Sequence, residues 1–148
     1  MEKEKVEVQA EIKVSAQKIF EFITNPENIP SILPGLIENS NVPALPLTTG
    51  ASFNYKYQMY GMTFDGVWTV LDIKEPTLYK AHTTGGIESD WTIEISDEGD
   101  STKVQLTVEY AIPGTLFHKI KAAILRKINE KEADHMIHNL KAVLETEE

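Results

Sequence analysis

Alternating apolar and polar residues predict a β-strand near the start of the chain. Over residues 6–14 every second residue is apolar and the residues between are charged or polar, a period of two that gives a strand one buried and one wet face. Ser15 suits the N-cap of a short amphipathic helix. Asn25 and Pro26 suit the cap and first position of a second helix, which two further prolines keep short.

From residue 36 to residue 112 the pattern indicates only strands and turns. Residues 53–59 alternate strictly, and residues 85–86 and 97–100 have the composition of hairpin turns. A blurred alternation at residues 67–70 is consistent with a bulge. Together with the first strand, this region predicts a sheet of seven antiparallel strands joined by short connections.

A single long helix is predicted at the C-terminal end. Pro113 and Gly114 end the sheet, and Thr115 can cap a helix that continues to about Leu144. At 1.5 Å per residue this helix is roughly 45 Å long, enough to cross the whole sheet.

The apolar residues of this helix form two stripes rather than one. The first half of the helix contributes Phe117, Ile120, Ile124 and Ile128. The second half contributes Ala133, Met136, Ile137, Leu140, Val143 and Leu144. At 100° per residue the second stripe is rotated from the first by roughly 160°, with the change near residues 129–132. We interpret the change as a bend, or as two halves that pack on different neighbours. The alternative is that the second half seals the core while the first half forms a lid.

Composition and charge restrict the possible functions. The chain has 23 acidic and 14 basic residues, a net charge of −9, which argues against nucleic-acid binding because that binding depends on positive charge. The absence of cysteine excludes disulfides and a thiol nucleophile. No apolar run approaches the roughly 20 residues of a transmembrane segment, and the charged N-terminus is unlike a signal peptide. We therefore expect one cytoplasmic domain spanning residues 1–148.

The titratable residues do not form a recognisable catalytic or metal site. His135 and His138 have a spacing that can share a metal, but the 100° placement directs them away from the second apolar stripe. His118 lies roughly 25 Å further back along the helix. His82 shares a strand face with Lys80 and is predicted to point outward. Since no nucleophile–base–acid set or phosphate-binding loop is present either, we predict no catalytic residue, no metal and no cofactor.

The residues predicted to face the interior are mainly large aromatic and apolar ones. The simpler interpretation is that they pack as ordinary core. However, one sheet that curls around one helix leaves space near its centre, and aromatics with polar tips suit a ligand cavity. The residues that we predict to contact a ligand are Tyr55, Tyr57, Met59, Phe64, Trp68, Trp91, Tyr110, Phe117, Ile120 and Ile124.

Three segments resemble the START-like (SRPBCC) superfamily, which includes START lipid-transfer domains, the birch-pollen allergen family and bacterial polyketide cyclase/dehydrase-like proteins. VSAQKIFEFITNPENIPSILPG resembles its strand-to-helix entry, WTVLDIKEPTLY its central strand with a proline turn, and NLKAVLE the end of its C-terminal helix. The resemblance implies an α+β helix-grip fold, in which a curved seven-stranded antiparallel sheet wraps around a long C-terminal helix and two short helices separate strands 1 and 2.

Three functions are consistent with these features. The first is non-enzymatic binding or transport of a small hydrophobic molecule such as a lipid, polyketide or isoprenoid. The second is a polyketide cyclase or dehydratase that uses tyrosines to orient or protonate an enol, although no acidic residue or histidine is predicted to face inward. The third is a partner or membrane-surface module, with weak contact to anionic lipid through the basic first half of the long helix. That half carries Lys119, Lys121, Arg126, Lys127 and Lys131.

Overall fold

The structure, a computed structural model, describes residues 3–59, 61–111 and 121–146. Strand β1 (Lys3–Ile12) is followed by helix α1 (Ala16–Ile23) and a short 3₁₀ helix (Pro26–Ser31). The caps lie where the sequence predicts them. The Ser15 side chain accepts a hydrogen bond from the Lys18 backbone N–H at 3.2 Å, and the Asn25 side chain accepts one from the Glu27 N–H at 3.2 Å.

Six further strands complete one sheet. They are β2 (Leu36–Ser40), β3 (Ser52–Met59), β4 (Met62–Lys74), β5 (Leu78–Thr84), β6 (Glu88–Asp97) and β7 (Thr102–Ala111). Their spatial order is β1-β7-β6-β5-β4-β3-β2, and every neighbouring pair is antiparallel. The predicted seven-stranded antiparallel sheet is confirmed. The irregularity expected in the fourth strand is present as a register shift between Val70 and Asp72.

The two short helices carry the chain from one edge of the sheet to the other. β1 pairs with β7, so that Val6 lies opposite Val108, while β2 forms the other edge beside β3. Residues of α1 on the core side, including Ile19 and Ile23, are almost completely buried. The helical segment formed by α1 and the 3₁₀ helix (residues 16–31) therefore covers one part of the inner face. A different element contacts both edges of the sheet.

The C-terminal helix (Ala122–Thr146) bridges these two edges. On one side the Lys141 ammonium donates to the Glu11 carbonyl of β1 at 3.0 Å. On the other side the Asn139 amide donates to the Ile32 carbonyl, just before β2, at 3.0 Å. The long C-terminal helix is thus confirmed, although its predicted start at Thr115 lies outside the described residues.

The second apolar stripe of the helix is confirmed, whereas the change of face is not. Five of its six residues, namely Ala133, Met136, Ile137, Leu140 and Leu144, are buried, and Val143 is half-buried. Ile124 was expected to face inward with Phe117 and Ile120, but its side chain is 46% exposed and its neighbour Leu125 is 1% exposed. Phe117 and Ile120 lie outside the described residues.

In the described helix a single inward stripe continues through polar residues. Helical placement at 100° per residue puts Leu125, Asn129, Glu132, Met136 and Leu140 within about 80° of one another. Asn129 and Glu132 are half-buried. The apolar pattern breaks at this point because two inward positions are polar, and these two residues border the cavity described next.

Candidate functional site

A cavity lies between the inner face of the sheet and the C-terminal helix. Its empty volume is about 830 Å³, including the part that is open to solvent. Strands β2 to β7 supply most of its wall. The helical segment adds Ile23, Pro26 and Ile29, the C-terminal helix adds Asn129 and Met136, and two connections add Leu33 and Ile87. A smaller adjoining space of about 320 Å³ shares several of these residues and is bordered by Glu132.

Half of the ten predicted ligand-contacting residues line this cavity. They are Tyr55, Tyr57, Trp68, Trp91 and Tyr110. Met59 and Phe64 are buried at 6% and 9% exposure, but they pack in the core outside the cavity wall. The inward orientation predicted for Ile124 is wrong, because its side chain is exposed. Phe117 and Ile120 are outside the described residues.

Trp68 is the centre of an aromatic cluster on the sheet side. Its ring centroid lies 6.1 Å from that of Phe53 in a stacked arrangement and 5.4 Å from that of Trp91 at 54°. Its indole N–H donates to the Tyr79 hydroxyl at 2.9 Å. Burial raises the pKa of Tyr79 to about 12, an effect that the bond from Trp68 only partly offsets. The cluster is therefore an apolar wall in which the indole donor of Trp68 is already paired.

A directed chain of hydrogen bonds runs along the same wall. Thr83 Oγ1 donates to the Ile87 carbonyl at 2.7 Å. Because this uses the only proton of Thr83, Ser89 must donate in the 2.5 Å contact between the two hydroxyls. Trp91 Nε1 in turn donates to Ser89 Oγ at 2.9 Å. Every donor in this chain is thus occupied within the protein.

Tyr55 lies across a glycine on the neighbouring strand. It pairs with Gly66 in the β3–β4 register, and a Cβ atom on Gly66 would lie 2.6 Å from the Tyr55 Cε2 atom and would also collide with the Thr84 carbonyl oxygen. The Tyr55 hydroxyl makes long bonds of 3.4 Å to the carbonyls of Thr84 and Ile87. Burial raises its pKa. The absence of a side chain at Gly66 therefore sets the position of this ring.

Tyr57 and Glu132 join the sheet to the C-terminal helix. The Tyr57 hydroxyl donates to Glu132 Oε2 at 3.0 Å, and the Gly35 backbone N–H donates to the same oxygen at 2.9 Å. A Cβ atom on Gly35 would lie 2.7 Å from the Tyr57 ring, so only glycine leaves room for this contact. Burial, and then the negative charge of Glu132, raise the pKa of Tyr57 well above its usual range.

Tyr110 differs from the other tyrosines of the cavity. Its hydroxyl is buried and makes no hydrogen bond to any described residue. Burial raises its pKa, and the nearby Asn129 amide lowers it by a smaller amount. One N–H of that amide donates to the Leu125 carbonyl at 3.0 Å, and a contact from its other N–H would use the Tyr110 oxygen as an acceptor and leave the phenol proton unused. Tyr110 therefore presents a donor that the described part of the chain does not use.

Comparison with known proteins identifies the family. The model of the polyketide cyclase / dehydrase and lipid transport family matches residues 3–145. The chain belongs to this family. No functionally curated protein matches its sequence.

Solved structures support the helix-grip fold. The protein TTHA0849 from Thermus thermophilus is 15% identical, with a TM-score of 0.82 over 98% of this chain and 100% of that one. A START superfamily protein from Mycobacterium smegmatis is 16% identical, with a TM-score of 0.76 over 95% and 97%. Major latex-like protein 151 from Panax ginseng is 17% identical, with a TM-score of 0.59 over 90% and 98%. At these identities the similarity establishes the fold only.

The histidines among the described residues, His82, His135 and His138, lie outside the cavity wall, and His118 is outside the described residues. His82 Nδ1 lies 2.7 Å from an Asp90 carboxylate oxygen, and exposed His138 contacts the Asp134 carbonyl at 2.9 Å. The described residues contain no group of three or more His, Asp or Glu side chains that could hold a metal ion. They also contain no helix long and apolar enough to span a membrane.

Sequence reasoning missed four residues that matter for the cavity. Tyr79 and Thr83 line it from β5, and Asn129 and Glu132 border it from the C-terminal helix. Strand alternation places Tyr79 and Thr83 on the inward face, which was a usable signal. For Asn129 and Glu132, the only indication in the sequence was that the apolar stripe of the helix is interrupted at these positions.

Proposed function

We propose that this protein binds a small, predominantly apolar molecule in the cavity between sheet and helix. The observation that carries the proposal is the wall itself. It is formed mainly by aromatic and aliphatic side chains, and the described residues that line the larger space include no Asp, Glu, Lys, Arg or His. Membership in a family described by cyclase, dehydrase and lipid-transport activities supports the same conclusion.

The driving force for such binding is the removal of apolar surface from water. Each Å² of apolar surface buried contributes roughly 25 cal/mol. Aromatic walls add specific edge and face contacts. Tyr55, Tyr57, Trp68, Trp91 and Tyr110 are the proposed contact residues, and Phe117 and Ile120 stay predictions. A lipid, polyketide or isoprenoid fragment has the required character.

The experiment is a binding titration with N-phenyl-1-naphthylamine, a neutral probe whose fluorescence rises in apolar surroundings. Val108 lines both spaces, so Val108→Phe should fill part of the cavity and weaken probe binding at least about tenfold. Thr107 is its neighbour on the same strand and is directed to the opposite face. Thr107→Phe is therefore the matched control and should bind as the wild type does.

Either of two results would count against the proposal. One is a wild-type protein that does not bind the probe. The other is a folded Val108→Phe variant that binds it unchanged, since the probe would then occupy a different surface. Mass spectrometry of organic extracts of the purified protein would identify a co-purified ligand independently of the probe.

A second candidate function is catalysis of the cyclase or dehydratase type. The Tyr57–Glu132 pair favours it, because Glu132 borders the smaller space and a carboxylate there could take a proton from carbon while a phenol orients the enol oxygen. Glu132→Gln should then abolish turnover of a polyketide thioester but leave probe binding intact. Equal turnover by wild type and variant would exclude this role for Glu132.

Weak contact with anionic membrane surfaces is a third proposal. Lys121 just before the C-terminal helix and Lys127 and Lys131 on it are exposed, whereas Arg126 is paired with Glu4 through two contacts of 3.0 and 3.1 Å. Lys119 is outside the described residues. Phosphatidylglycerol vesicles should therefore retain the wild type more than a variant with all three lysines changed to Gln. Equal retention of wild type and variant would contradict this proposal.

A cytoplasmic location and a single domain over residues 1–148 are also proposals.

A further inference from the structure

The electrostatics of the cavity restrict the charge of its ligand. No ionisable acid or base other than tyrosine is found among the described residues that line the larger space, and the adjoining space is bordered by the carboxyl group of Glu132. A buried anion without a cationic partner is strongly unfavourable, because it loses its hydration and gains nothing in return. A carboxylate ligand would also be repelled by Glu132. The cavity is therefore suited to a neutral molecule.

An account of the hydrogen-bond donors then shows which polar group the ligand can use. The donors of Trp91, Ser89 and Thr83 are occupied in one chain that ends at a backbone carbonyl. The Tyr57 donor is occupied by Glu132, and the Trp68 donor is occupied by the Tyr79 hydroxyl. Tyr79 only accepts in that bond, so its own proton has no acceptor among the described residues, but its oxygen has a partner.

The Asn39 and Asn129 amides each donate one of their two N–H groups to a backbone carbonyl. Tyr55 and Tyr110 are the remaining hydroxyl donors of the cavity. The Tyr55 hydroxyl is within 3.4 Å of two backbone carbonyls. The Tyr110 hydroxyl, in contrast, is the one buried side-chain polar atom among the described residues that has no hydrogen-bond partner. A buried donor without a partner is unfavourable, because it has lost its bonds to water and gained none, so an acceptor that reaches it binds more tightly.

We propose that the ligand is a neutral apolar molecule with an acceptor oxygen, such as that of a ketone, ester or ether, which accepts a hydrogen bond from the Tyr110 hydroxyl. This inference rests on the proposed binding function and specifies its ligand class. Burial raises the pKa of Tyr110, so the phenol keeps its proton at neutral pH and remains a donor. The position of Tyr110 beside both spaces places this donor within the proposed site.

Three probes of similar size test the inference by displacement of N-phenyl-1-naphthylamine. They are 2-acetylnaphthalene (neutral with an acceptor), 2-ethylnaphthalene (neutral without one) and 2-naphthoate (anionic). Tyr110→Phe removes the donor. It should weaken binding of the ketone about 3–10-fold, which corresponds to one hydrogen bond, and leave binding of the hydrocarbon unchanged. On the wild type, 2-naphthoate should bind at least about tenfold more weakly than the ketone.

Tyr55→Phe is the matched control. It removes the same hydroxyl group from a cavity-lining tyrosine that already has acceptors within the protein. The ratio of ketone to hydrocarbon affinity should therefore be the same in Tyr55→Phe as in the wild type. Circular dichroism of both variants checks that they are folded.

The outcomes separate this inference from the proposed function. If neither neutral probe nor the fluorophore binds, the proposed function fails and the inference fails with it. If the hydrocarbon binds but Tyr110→Phe leaves the ketone-to-hydrocarbon ratio unchanged, the role of Tyr110 is overturned while binding itself stands. If 2-naphthoate binds as tightly as the ketone, the neutral ligand class is overturned, again without loss of the binding function.

Discussion

Tyr55 and Gly66 lie opposite one another on β3 and β4, and the ring of Tyr55 occupies the space that a side chain at position 66 would need. The relationship has a structural and a functional consequence. It fixes the orientation of one cavity-lining aromatic residue, and it explains a glycine inside a strand, where glycine otherwise weakens the sheet.

Replacement of Gly66 by Ala should therefore destabilise the protein by about 2–4 kcal/mol, because the added methyl group collides with Tyr55 and with the Thr84 carbonyl. Chemical denaturation measures the free energy of unfolding. Gly50→Ala is the control, since Gly50 has φ +91° but no atom within 4 Å of the position that an added methyl group would take, and it should cost only about 1–2 kcal/mol of backbone strain. A smaller loss at Gly66 than at Gly50 would contradict the steric argument.

The strands were predictable from sequence because one face of each is buried against the core. In β7, Val104, Leu106 and Val108 are buried while the residues between them are half-buried, so the period of two is visible without any structure. The pairing of β1 with β7 could not be predicted in this way. The two strands are far apart in the sequence, and their pairing depends on the path of the two short helices, which local hydrophobic patterns do not reveal.

The cavity was predictable only in part, for a related reason. Aromatic residues at inward strand positions were identified, and all of them except Phe64 line the space. Hydropathy treats polar residues as outward-facing, however, so Asn129 and Glu132 appeared as an interruption of the helix stripe. Glu132 faces inward because its carboxylate contacts Gly35 and Tyr57, which are partners that a helical projection does not include. Asn129 lies on the same stripe, and its amide is bonded to the Leu125 carbonyl one turn earlier.

The single inward stripe of the C-terminal helix can be tested by a pair of adjacent substitutions. Leu125→Ala should cost about 2–5 kcal/mol of unfolding free energy, because it removes buried methyl groups and leaves a cavity. Ile124→Ala should change it by less than about 0.5 kcal/mol, because the side chain is 46% exposed. Urea denaturation of both variants makes the comparison. A larger loss of stability in Ile124→Ala than in Leu125→Ala would contradict the single stripe and support the interpretation with two stripes.

The Tyr57–Glu132 contact should appear as an energetic coupling. Glu132→Ala leaves the buried Tyr57 hydroxyl and the Gly35 N–H without their acceptor and should cost about 1–3 kcal/mol. Tyr57→Phe should cost less when Glu132 is already absent. A double-mutant cycle in urea should give a coupling energy of about 1 kcal/mol or more. Additive losses would mean that the 3.0 Å contact contributes nothing to stability.

Tyr110→Phe should have the opposite effect on the ligand-free protein. Because the Tyr110 hydroxyl has no partner among the described residues, its removal should leave the stability unchanged or raise it by up to about 1 kcal/mol. Tyr57→Phe serves as the comparison, since it breaks an existing bond and should lower stability. A clear loss of stability in Tyr110→Phe would show that the hydroxyl is already satisfied, for example by an ordered water.

The buried tyrosines predict a loss of stability at alkaline pH. Tyr55, Tyr57, Tyr79 and Tyr110 all have pKa values raised above the usual 10.0, chiefly by burial. Below about pH 10 both the folded and unfolded states hold these protons, so the stability is fully present. Above it the unfolded state releases protons that the folded state retains, and the free energy of unfolding falls as pH rises toward the folded values.

Urea denaturation at intervals from about pH 8 to pH 11.5 measures this decline. Tyr79 offers a sharp test. Because its pKa in the folded protein is about 12, its contribution to the free energy of unfolding should fall continuously between about pH 10 and pH 11.5. Tyr79→Phe removes one titrating group and should make the decline shallower by up to about 1.4 kcal/mol per pH unit. The absorbance of tyrosinate should rise together with unfolding rather than before it. If Tyr79→Phe follows the wild-type curve, Tyr79 ionises in the folded protein as it does in the unfolded one.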